Sequence, residues 1–410
     1  MKTPLLLALS FAAGGAFAAD PASIDWSKVP VTKVMLFYPG QSSYEWLRDD
    51  HKKGKGAKAV QNGQACVRCH EDEEKDLGAS LVKGGPLEST PVKGKPGSVE
   101  LKVQAAYDDK NAYLRFQWRT AADRAGTAYP SYRFDGKEWK VHGYPRLDKV
   151  VQEGKQPAIY EDRLSLMLDD GKVPEFGRQG CWLTCHVGSR DMPNTASKEE
   201  AQNAIKKDDV RKYLPISRSN PADWRTVKPA AELEKIKAAG GFVDLMQWRA
   251  HRSNPVGAAD DGYVLEFRNF DAGKNPFASN LDGKTKLPRF MFAPGKTGPF
   301  LIQGQNAVPF DPKAGWKSGD MLPRYFLQAA EGSAGDNKAS GVWKDGEWTV
   351  VLVRPLGLAN SDDKALKPGG VYNVGFAVHD DNITTRGHFV SFVRTLGLGA
   401  EASIRAVKLP

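Results

Sequence analysis

The cysteines constrain this chain more than any other residue type, because all four lie in two short clusters that each end in histidine. The first cluster is CVRCH at residues 66–70, and the second is CWLTCH at residues 181–186. No cysteine remains elsewhere, so a disulfide framework cannot hold the fold together. A packed apolar core has to do so, and a hydrophobic content of 40% is enough to build one.

The first cluster has the spacing of a covalent haem c attachment site, with no departure from it. In such a site, two thiols add across the two vinyl groups of haem, and the histidine that follows is the proximal iron ligand. We therefore expect Cys66 and Cys69 to form thioethers and His70 to bind the iron. A chance match would leave two unpaired thiols in a protein that carries an export signal.

The second cluster has three residues between its cysteines instead of two, and three interpretations compete for it. A disulfide between Cys181 and Cys185 would close a very small loop. A zinc site would need further Cys or His ligands nearby, although no cysteine remains. Covalent haem c, with the loop bulged by one residue, keeps both thiols and His186 and is the favoured interpretation. The extra residue affects whether both thioethers form. It affects iron binding by His186 much less.

Each haem iron has a sixth position that needs a distal ligand. His51 lies 15 residues before Cys66, in a Lys/Gly-rich loop that can fold back over the first haem. It is therefore the candidate for that iron. His379 and His388 flank the turn AVHDDNITTRGHF, and the sequence leaves open whether they are structural or lie near a haem edge.

The distal candidates for the second haem are His251, Met192 and Met246, in that order of preference. His251 and Met246 belong to one segment that also contains Arg249 and Arg252, which can pair with haem propionates. The choice of ligand matters because two histidines hold the iron at a lower potential than a histidine and a methionine.

The N-terminus indicates a secretory signal peptide at residues 1–18. Lys2 is followed by an apolar run and by Ala16-Phe17-Ala18, which has the pattern of a cleavage site. We expect cleavage before Ala19 and a periplasmic mature protein. The apolar run is too short for a bilayer, and no later stretch reaches the ~18 continuous apolar residues of a membrane span.

Alternating apolar and polar residues dominate the chain after a Pro/Gly-rich boundary at residues 83–98. We expect residues 19–98 to form an N-terminal haem c segment, and residues 99–410 to form a mainly β haem-binding domain. Its predicted architecture is an antiparallel β-sandwich. Residues of helical composition predict an insertion at about 171–256, which carries the second cluster.

The formal charge of +9 is scattered, apart from a Lys/Gly patch at residues 52–58. A basic exported protein can be steered to acidic partners or anionic surfaces. No basic-aromatic motif points to nucleic acid. The expected partners are therefore redox proteins.

Several separated blocks of the chain resemble the ethylbenzene-dehydrogenase-related family, also described as the cytochrome c-552/DMSO-reductase-like haem-binding domain. These blocks, between about residues 31 and 400, are MLFYPGQSSYEW, VQAAYDDKNAYLRFQW, EDRLSLMLDDG, GCWLTCH, RDMP, WRAHRSNPVGAADDGYVLEFRNF and FAVHDDNITTRGHF. The resemblance implies a β-sandwich that holds haem and passes electrons. The CWLTCH spacing is similar to that of a di-haem c-type branch.

The respiratory members of that family are small haem subunits of molybdenum enzymes, with a non-covalent haem held by Met and Lys. This chain departs from them by its Cys-His clusters, so those two ligands are not carried over.

The favoured function is a periplasmic cytochrome with two haem c groups that transfers electrons between respiratory partners, such as a quinol-linked cytochrome or a molybdenum enzyme. The chain contains no nucleophile elbow, zinc motif or nucleotide loop, so no catalytic residue is assigned. The alternatives are a haem enzyme, for example a peroxidase or a small-molecule oxidoreductase, and a haem subunit of a molybdenum oxidoreductase. A third interpretation of the chain is a ligand-binding or docking module in which the haem has a structural role.

Overall fold

The computed structural model describes residues 21–40, 56, 59, 62–85, 88, 91–120, 125–145, 149–186, 196–210, 212–221, 223–358, 360–380 and 387–410, with the backbone alone for residues 181–186. The predicted signal peptide, His51 and Met192 lie outside the described residues.

The helices within these ranges are short and the strands are numerous. The α-helices are α1 (Val67–His70), α2 (Glu74–Leu81), α3 (Lys149–Gln152), α4 (Pro174–His186), α5 (Lys198–Ile205) and α6 (Ala230–Ala238). Single 3₁₀ turns occur at Pro21–Ser23, Trp26–Lys28, Pro215–Ser217, Asn254–Val256 and Ser333–Gly335.

The strands are β1 (Thr32–Phe37), β2 (Ser98–Tyr107), β3 (Asn111–Arg119), β4 (Ser131–Phe134), β5 (Trp139–His142), β6 (Arg163–Asp169), β7 (Val243–Arg249), β8 (Gly262–Val264), β9 (Arg268–Phe270), β10 (Phe277–Ser279), β11 (Phe290–Phe292), β12 (Leu301–Ile302), β13 (Ala307–Pro309), β14 (Met321–Pro323), β15 (Tyr325–Leu327), β16 (Lys338–Lys344), β17 (Glu347–Pro355), β18 (Val371–His379), β19 (His388–Val390), β20 (Arg394–Leu398) and β21 (Ile404–Lys408). This content confirms the prediction of a mainly β fold.

Six of these strands close into a barrel. β1 pairs with β2 and β19, and β18 pairs with β19 and β20, all in antiparallel register. The last strand, β21, completes the ring by pairing in parallel with both β2 and β20. Closure removes the free edges that these strands would otherwise present to other chains. The sequence pattern did not predict this closure.

Two wings extend the barrel on opposite sides, β3-β17-β16 from β2 and β6-β7-β8-β9 from β18. They face each other across the main core, the apolar cluster that includes Trp118, Trp248 and Trp348. Trp248 of β7 lies 6.0 Å from Trp118 of β3 and 4.8 Å from Trp348 of β17, measured between ring centroids. Because strand side chains alternate between faces, every second residue of these strands enters this core.

The opposite face of β1, β19, β18, β6 and β7 carries a second apolar cluster, here called the outer core. Its strand residues are Phe37, Val390, Ala377, Met167 and Leu245. Side chains from α1, α2, α4 and α6 pack against it, including Val67, Leu77, Phe176 and Leu233. The segment of the first Cys-His cluster therefore lies on the outside of the large sheet.

Small sheets formed by β14-β4-β5, β10-β15-β12 and β11-β13 complete the fold. Among the helices in the described ranges, none is both long and apolar enough to cross a membrane.

Candidate functional site

The first Cys-His cluster forms a short helix on the outer core. Cys66 immediately precedes α1, and Cys69 and His70 are its last two residues. Residues four apart lie on one side of a helix, so the backbone positions of Cys66 and His70 share a face. Both thiols are free of disulfide bonds. Burial raises the pKa of the Cys66 thiol to about 11, unlike the low-pKa thiolates of redox-active cysteine pairs.

The His70 ring is held by a carboxylate. Its Nδ1 lies 2.8 Å from Oε2 of Glu73, and because a carboxylate can only accept, Nδ1 carries the proton. This leaves Nε2 as the nitrogen with a lone pair, which is the arrangement that metal-bound histidines commonly show. The ring also stacks on Phe392 at 6.4 Å between centroids.

The acidic run EDEE after the cluster therefore has specific roles that the sequence interpretation missed. Glu73 orients His70. The next residue, Glu74, is buried and accepts from Arg394 Nη2 at 3.1 Å, which ties the start of α2 to β20. The signal was available in the sequence as a carboxylate three residues after a haem-motif histidine.

The two Cys-His segments meet on the outer face of the sheet. The backbone amide of Cys66 donates to the carbonyl oxygen of Arg178, at 3.1 Å. Arg178 precedes Cys181 by three residues, a distance of at most about 11 Å along the chain. Its guanidinium also covers Gly63, where an added Cβ would lie 2.8 Å from Nη1. Close backbone approach thus brings together segments more than a hundred residues apart in sequence.

Gly180 breaks α4 immediately before the second cluster. Its backbone angles, φ 65° and ψ −161°, lie in a region that essentially only glycine occupies. An added Cβ would lie 2.9 Å from Val393 Cγ2. Phe392, the preceding residue, stacks on His70. Residues 392–393 therefore contact both Cys-His segments.

With this geometry established, the chain can be compared with known proteins. The sequence profile of the ethylbenzene dehydrogenase family matches residues 23–391, which include both clusters. The chain belongs to the ethylbenzene dehydrogenase family. It is 30% identical to cytochrome c-552 of Stutzerimonas stutzeri over 401 residues, or 98% of this chain and 95% of that protein. It is also 27% identical to cytochrome c-551 of Rhodocyclus tenuis over 210 residues, or 51% of this chain and 70% of that protein.

In this member of the ethylbenzene dehydrogenase family, His251 lies in a buried aromatic environment after β7. It is 4% exposed, and its Nδ1 lies 2.9 Å from the carbonyl oxygen of Thr127. The rings of Tyr129 and Phe300 flank it at 5.7 and 5.1 Å. Burial lowers its pKa, so the imidazole is neutral near pH 7. None of the contacts described joins His251 to either Cys-His segment, and its distal role stays a prediction.

The two arginines predicted to meet propionates are each paired with a buried carboxylate. Arg249 forms a bidentate pair with Asp260. Its Nε donates to Oδ1 at 2.5 Å, and its Nη2 donates to Oδ2 at 2.8 Å. Arg252 Nε donates to Glu161 Oε1 at 2.5 Å. These pairs compensate the buried charges, so propionate binding by either arginine would compete with a partner already in place.

Met246 points into the main core, on the opposite side of β7 from Leu245 and the outer core. Ligation by its sulfur would require haem to enter that core.

His379 and His388 lie on adjacent strands, with their rings stacked at 4.8 Å. Arg163 Nη2 lies 2.8 Å from His379 Nε2. These three polar side chains occupy the same sheet face as Ala377 and Val390 of the outer core, because residues two apart along a strand point the same way.

Proposed function

We propose that the chain is an exported, periplasmic c-type cytochrome that carries two haem groups and transfers electrons between redox protein partners. The observation that carries the proposal is the hydrogen bond from the Cys66 amide to the Arg178 carbonyl, which joins the first cluster to α4, the helix that ends in the second cluster. The cytochrome names of both relatives support haem c as the cofactor. The signal-peptide pattern supports export.

The residues of the first cluster fit haem c. When bound, the haem supplies an iron that alternates between ferric and ferrous states. Cys66 and Cys69 would hold the group through thioethers, and His70 would bind the iron through Nε2. The fit rests on the two free thiols and on the Glu73 contact that fixes the ring.

The backbone of the second cluster supports covalent attachment in spite of the extra residue. Residues 181–186 form the last part of α4, beyond the break at Gly180. Positions three and four apart on a helix are neighbours on one face. Cys181 and Cys185, four apart, are therefore as well placed by the backbone as Cys66 and Cys69, three apart. His186 would be the proximal ligand of this second haem.

We assign the sixth positions to His51 for the first iron and to His251 for the second, with Met192 and Met246 as the other candidates for the second. His251 suits this role because it is neutral and its Nδ1 is anchored, which leaves Nε2 for iron. Two occupied sixth positions leave no place for a substrate on the iron. The role is then electron transfer rather than haem catalysis.

The neighbouring attachment segments support a relay, in which an electron enters at one haem and leaves from the other. Redox partners would be a quinol-linked cytochrome or a molybdenum enzyme. The net positive charge favours a partner with an acidic docking surface.

The test is the intact mass of the mature protein, produced with its haems attached. We expect a polypeptide that begins at Ala19 with the mass of two haems added. The double variant Cys181→Ser/Cys185→Ser should lose the mass of one haem, and Cys66→Ser/Cys69→Ser should lose the other. A wild-type mass with one haem would contradict the two-haem proposal.

Optical spectra separate electron transfer from haem catalysis. The ferric protein should be entirely low-spin, and the reduced protein should form no adduct with carbon monoxide. A carbon monoxide adduct at either haem would reveal an open sixth position and would replace the electron-transfer proposal with that of a peroxidase or a small-molecule oxidoreductase.

A further inference from the structure

A group of buried aspartates lies away from the outer core, where β7, β8 and β9 meet the segment after β17. Its members are Asp244, Asp261, Asp271, Asp362 and Asp363. Each is at most 8% exposed. One carboxylate oxygen from each of Asp244, Asp261 and Asp363 lies within 4.8 Å of the other two. The cluster is thus a compact set of oxygen donors from segments distant in sequence.

The described residues contribute one guanidinium to this cluster. Arg354 Nη2 donates to Asp244 Oδ2 and, at 3.2 Å, to Asp363 Oδ1, and its Nη1 lies 4.0 Å from Asp261 Oδ2. The nearby Lys364 directs its Nζ elsewhere, to Asp170 Oδ1 and the Gly240 carbonyl at 2.5 Å each. Three of the five carboxyl groups therefore share one close positive charge.

Several of these oxygens are buried without a donor. Both side-chain oxygens of Asp271 and Oδ1 of Asp244 accept no hydrogen bond from the described residues. Asp271 is 5% exposed and lies beside the other carboxylates, since its amide contacts the Asp261 carbonyl at 3.4 Å and the following amide donates to Asp362 Oδ2. An uncompensated buried carboxylate is strongly unfavourable.

We propose that this aspartate cluster binds one calcium ion. Two oxygens that bind the same Ca²⁺ at about 2.4 Å are at most about 4.8 Å apart, which is the spacing found here. Within that set of three aspartates, Oδ1 of Asp244 is buried and accepts no hydrogen bond from the described residues, so its lone pairs are available to an ion. The five carboxylates and Arg354 leave four excess negative charges when all are ionised, and a divalent cation would neutralise two of them.

The donor set selects calcium over the other common divalent ions. Zinc sites are built mainly from thiolate and imidazole, and the cluster contains neither. Magnesium demands a small octahedral shell and usually keeps several waters, whereas calcium accepts six to eight oxygens in flexible geometry. A compact, buried group of carboxylates therefore favours calcium.

The ion would act as a crosslink within the fold. Asp244 belongs to β7, Asp261 and Asp271 flank the β8-β9 hairpin, and Asp363 lies in the segment that follows β17. Ser333 and Asn360 donate to Asp363 Oδ2 at 3.1 Å, which connects two further loops to the cluster. Calcium binding should therefore stabilise the folded chain, because the unfolded chain does not assemble the site.

The test uses the full haem-loaded protein, stripped with EGTA and then titrated with calcium chloride. Native mass spectrometry should show one calcium per chain. A calcium concentration about a hundred times Kd should raise Tm by about 3 °C relative to EGTA. A protein that takes up no calcium, or whose Tm is the same in EGTA and in calcium, would overturn the proposal without any variant.

Asp261→Asn provides the site-specific test, because Asp261 belongs to the grouped set and its contact with Arg354, at 4.0 Å, is the longest of the three. The substitution keeps the size of the side chain and removes its charge. The calcium affinity of this variant, measured by isothermal titration calorimetry, should fall at least tenfold. Asp109→Asn, at an exposed aspartate that pairs with Lys408, is the matched control and should bind as the wild type does. Equal affinity of Asp261→Asn and wild type would place the calcium elsewhere and overturn the assignment.

Discussion

At the scale of single residues, one contact orients the histidine that we propose as the first iron ligand. His70 is placed by its helix and by the Phe392 ring, but the rotation of its imidazole and the position of its proton depend on Glu73. A carboxylate acceptor on the remote nitrogen makes the coordinating nitrogen a stronger donor. Stronger donation stabilises ferric over ferrous iron and thus lowers the reduction potential.

Replacing Glu73 by glutamine tests this role. Glu73→Gln keeps an oxygen acceptor but removes its charge, so the coordinating nitrogen becomes a weaker donor. We expect the reduction potential of the first haem to rise while that of the second changes less. A spectroelectrochemical titration that resolves the two haems measures both.

Glu71→Gln is the matched control for this experiment. It removes the same charge from the same acidic run, at an exposed residue two positions away. Its effect should be limited to the small shift caused by the lost charge. Equal shifts in the two variants would show that the hydrogen bond to His70 contributes nothing beyond electrostatics.

At the scale of elements, α4 is decisive, because it is interrupted at the residue before Cys181. The first part of the helix packs Phe176 into the outer core, and the second part carries the second Cys-His cluster. Gly180 redirects the chain between them and allows it to lie against Val393. The break therefore sets where the second cluster is placed relative to the first.

Substitution of Gly180 by alanine should displace the second cluster. The backbone angles of Gly180 cost an L-residue about 1–3 kcal/mol, and the new Cβ would collide with Val393. We expect Gly180→Ala to lower the fraction of molecules that carry a second haem, as measured by intact mass. Full two-haem loading of this variant would be evidence against the importance of the break.

Gly177→Ala is the corresponding control in the same helix. An added Cβ there meets the flexible Asn373 side chain at 3.1 Å, and the residue has no positive φ. Haem loading of this variant should equal that of the wild type, since alanine is the better helix former.

At the scale of the whole molecule, the fold depends on the contact between its two wings. β16 and β7 belong to opposite wings, and Gly341 of β16 lies directly against the Trp248 ring. Asn254 reinforces this contact, because its Oδ1 accepts from both the Trp248 indole at 2.9 Å and the Gly341 amide at 2.7 Å. The wings can approach this closely because Gly341 has no side chain.

A methyl group at this position should force the wings apart. In Gly341→Ala, the added Cβ would lie 2.3 Å from Trp248 Cζ2. We expect a loss of about 1–3 kcal/mol in the free energy of unfolding, measured by denaturant titration, as for other overpacked cores. Gly283→Ala, where nothing lies within 4 Å of the added Cβ, should be neutral or slightly stabilising. Comparable losses in the two variants would refute this packing argument.

Local chemistry made several features predictable from the sequence. Haem c attachment needs two thiols and a histidine within a few residues, so CVRCH and CWLTCH could be proposed as attachment sites without a fold. Alternation along strands such as β3 and β17 predicted the mainly β class, because it depends only on which face of a strand is buried. The assignment to the ethylbenzene dehydrogenase family likewise followed from blocks of sequence.

The arrangement of those features depended on the tertiary structure. Parallel pairing of β21 with β2 and β20 closes the barrel. The contacts between β21 and β2 join residues about three hundred positions apart, and contacts over such a separation leave no local signature. The aspartate cluster around Arg354 and the Cys66–Arg178 hydrogen bond also join residues that are far apart in sequence, so they too could not be predicted from a local pattern. The sequence alone determined which residues we propose to attach haem, because the attachment motif is local. Only the folded chain decided that the first Cys-His cluster lies against the helix that carries the second, because that proximity results from long-range packing on the outer core.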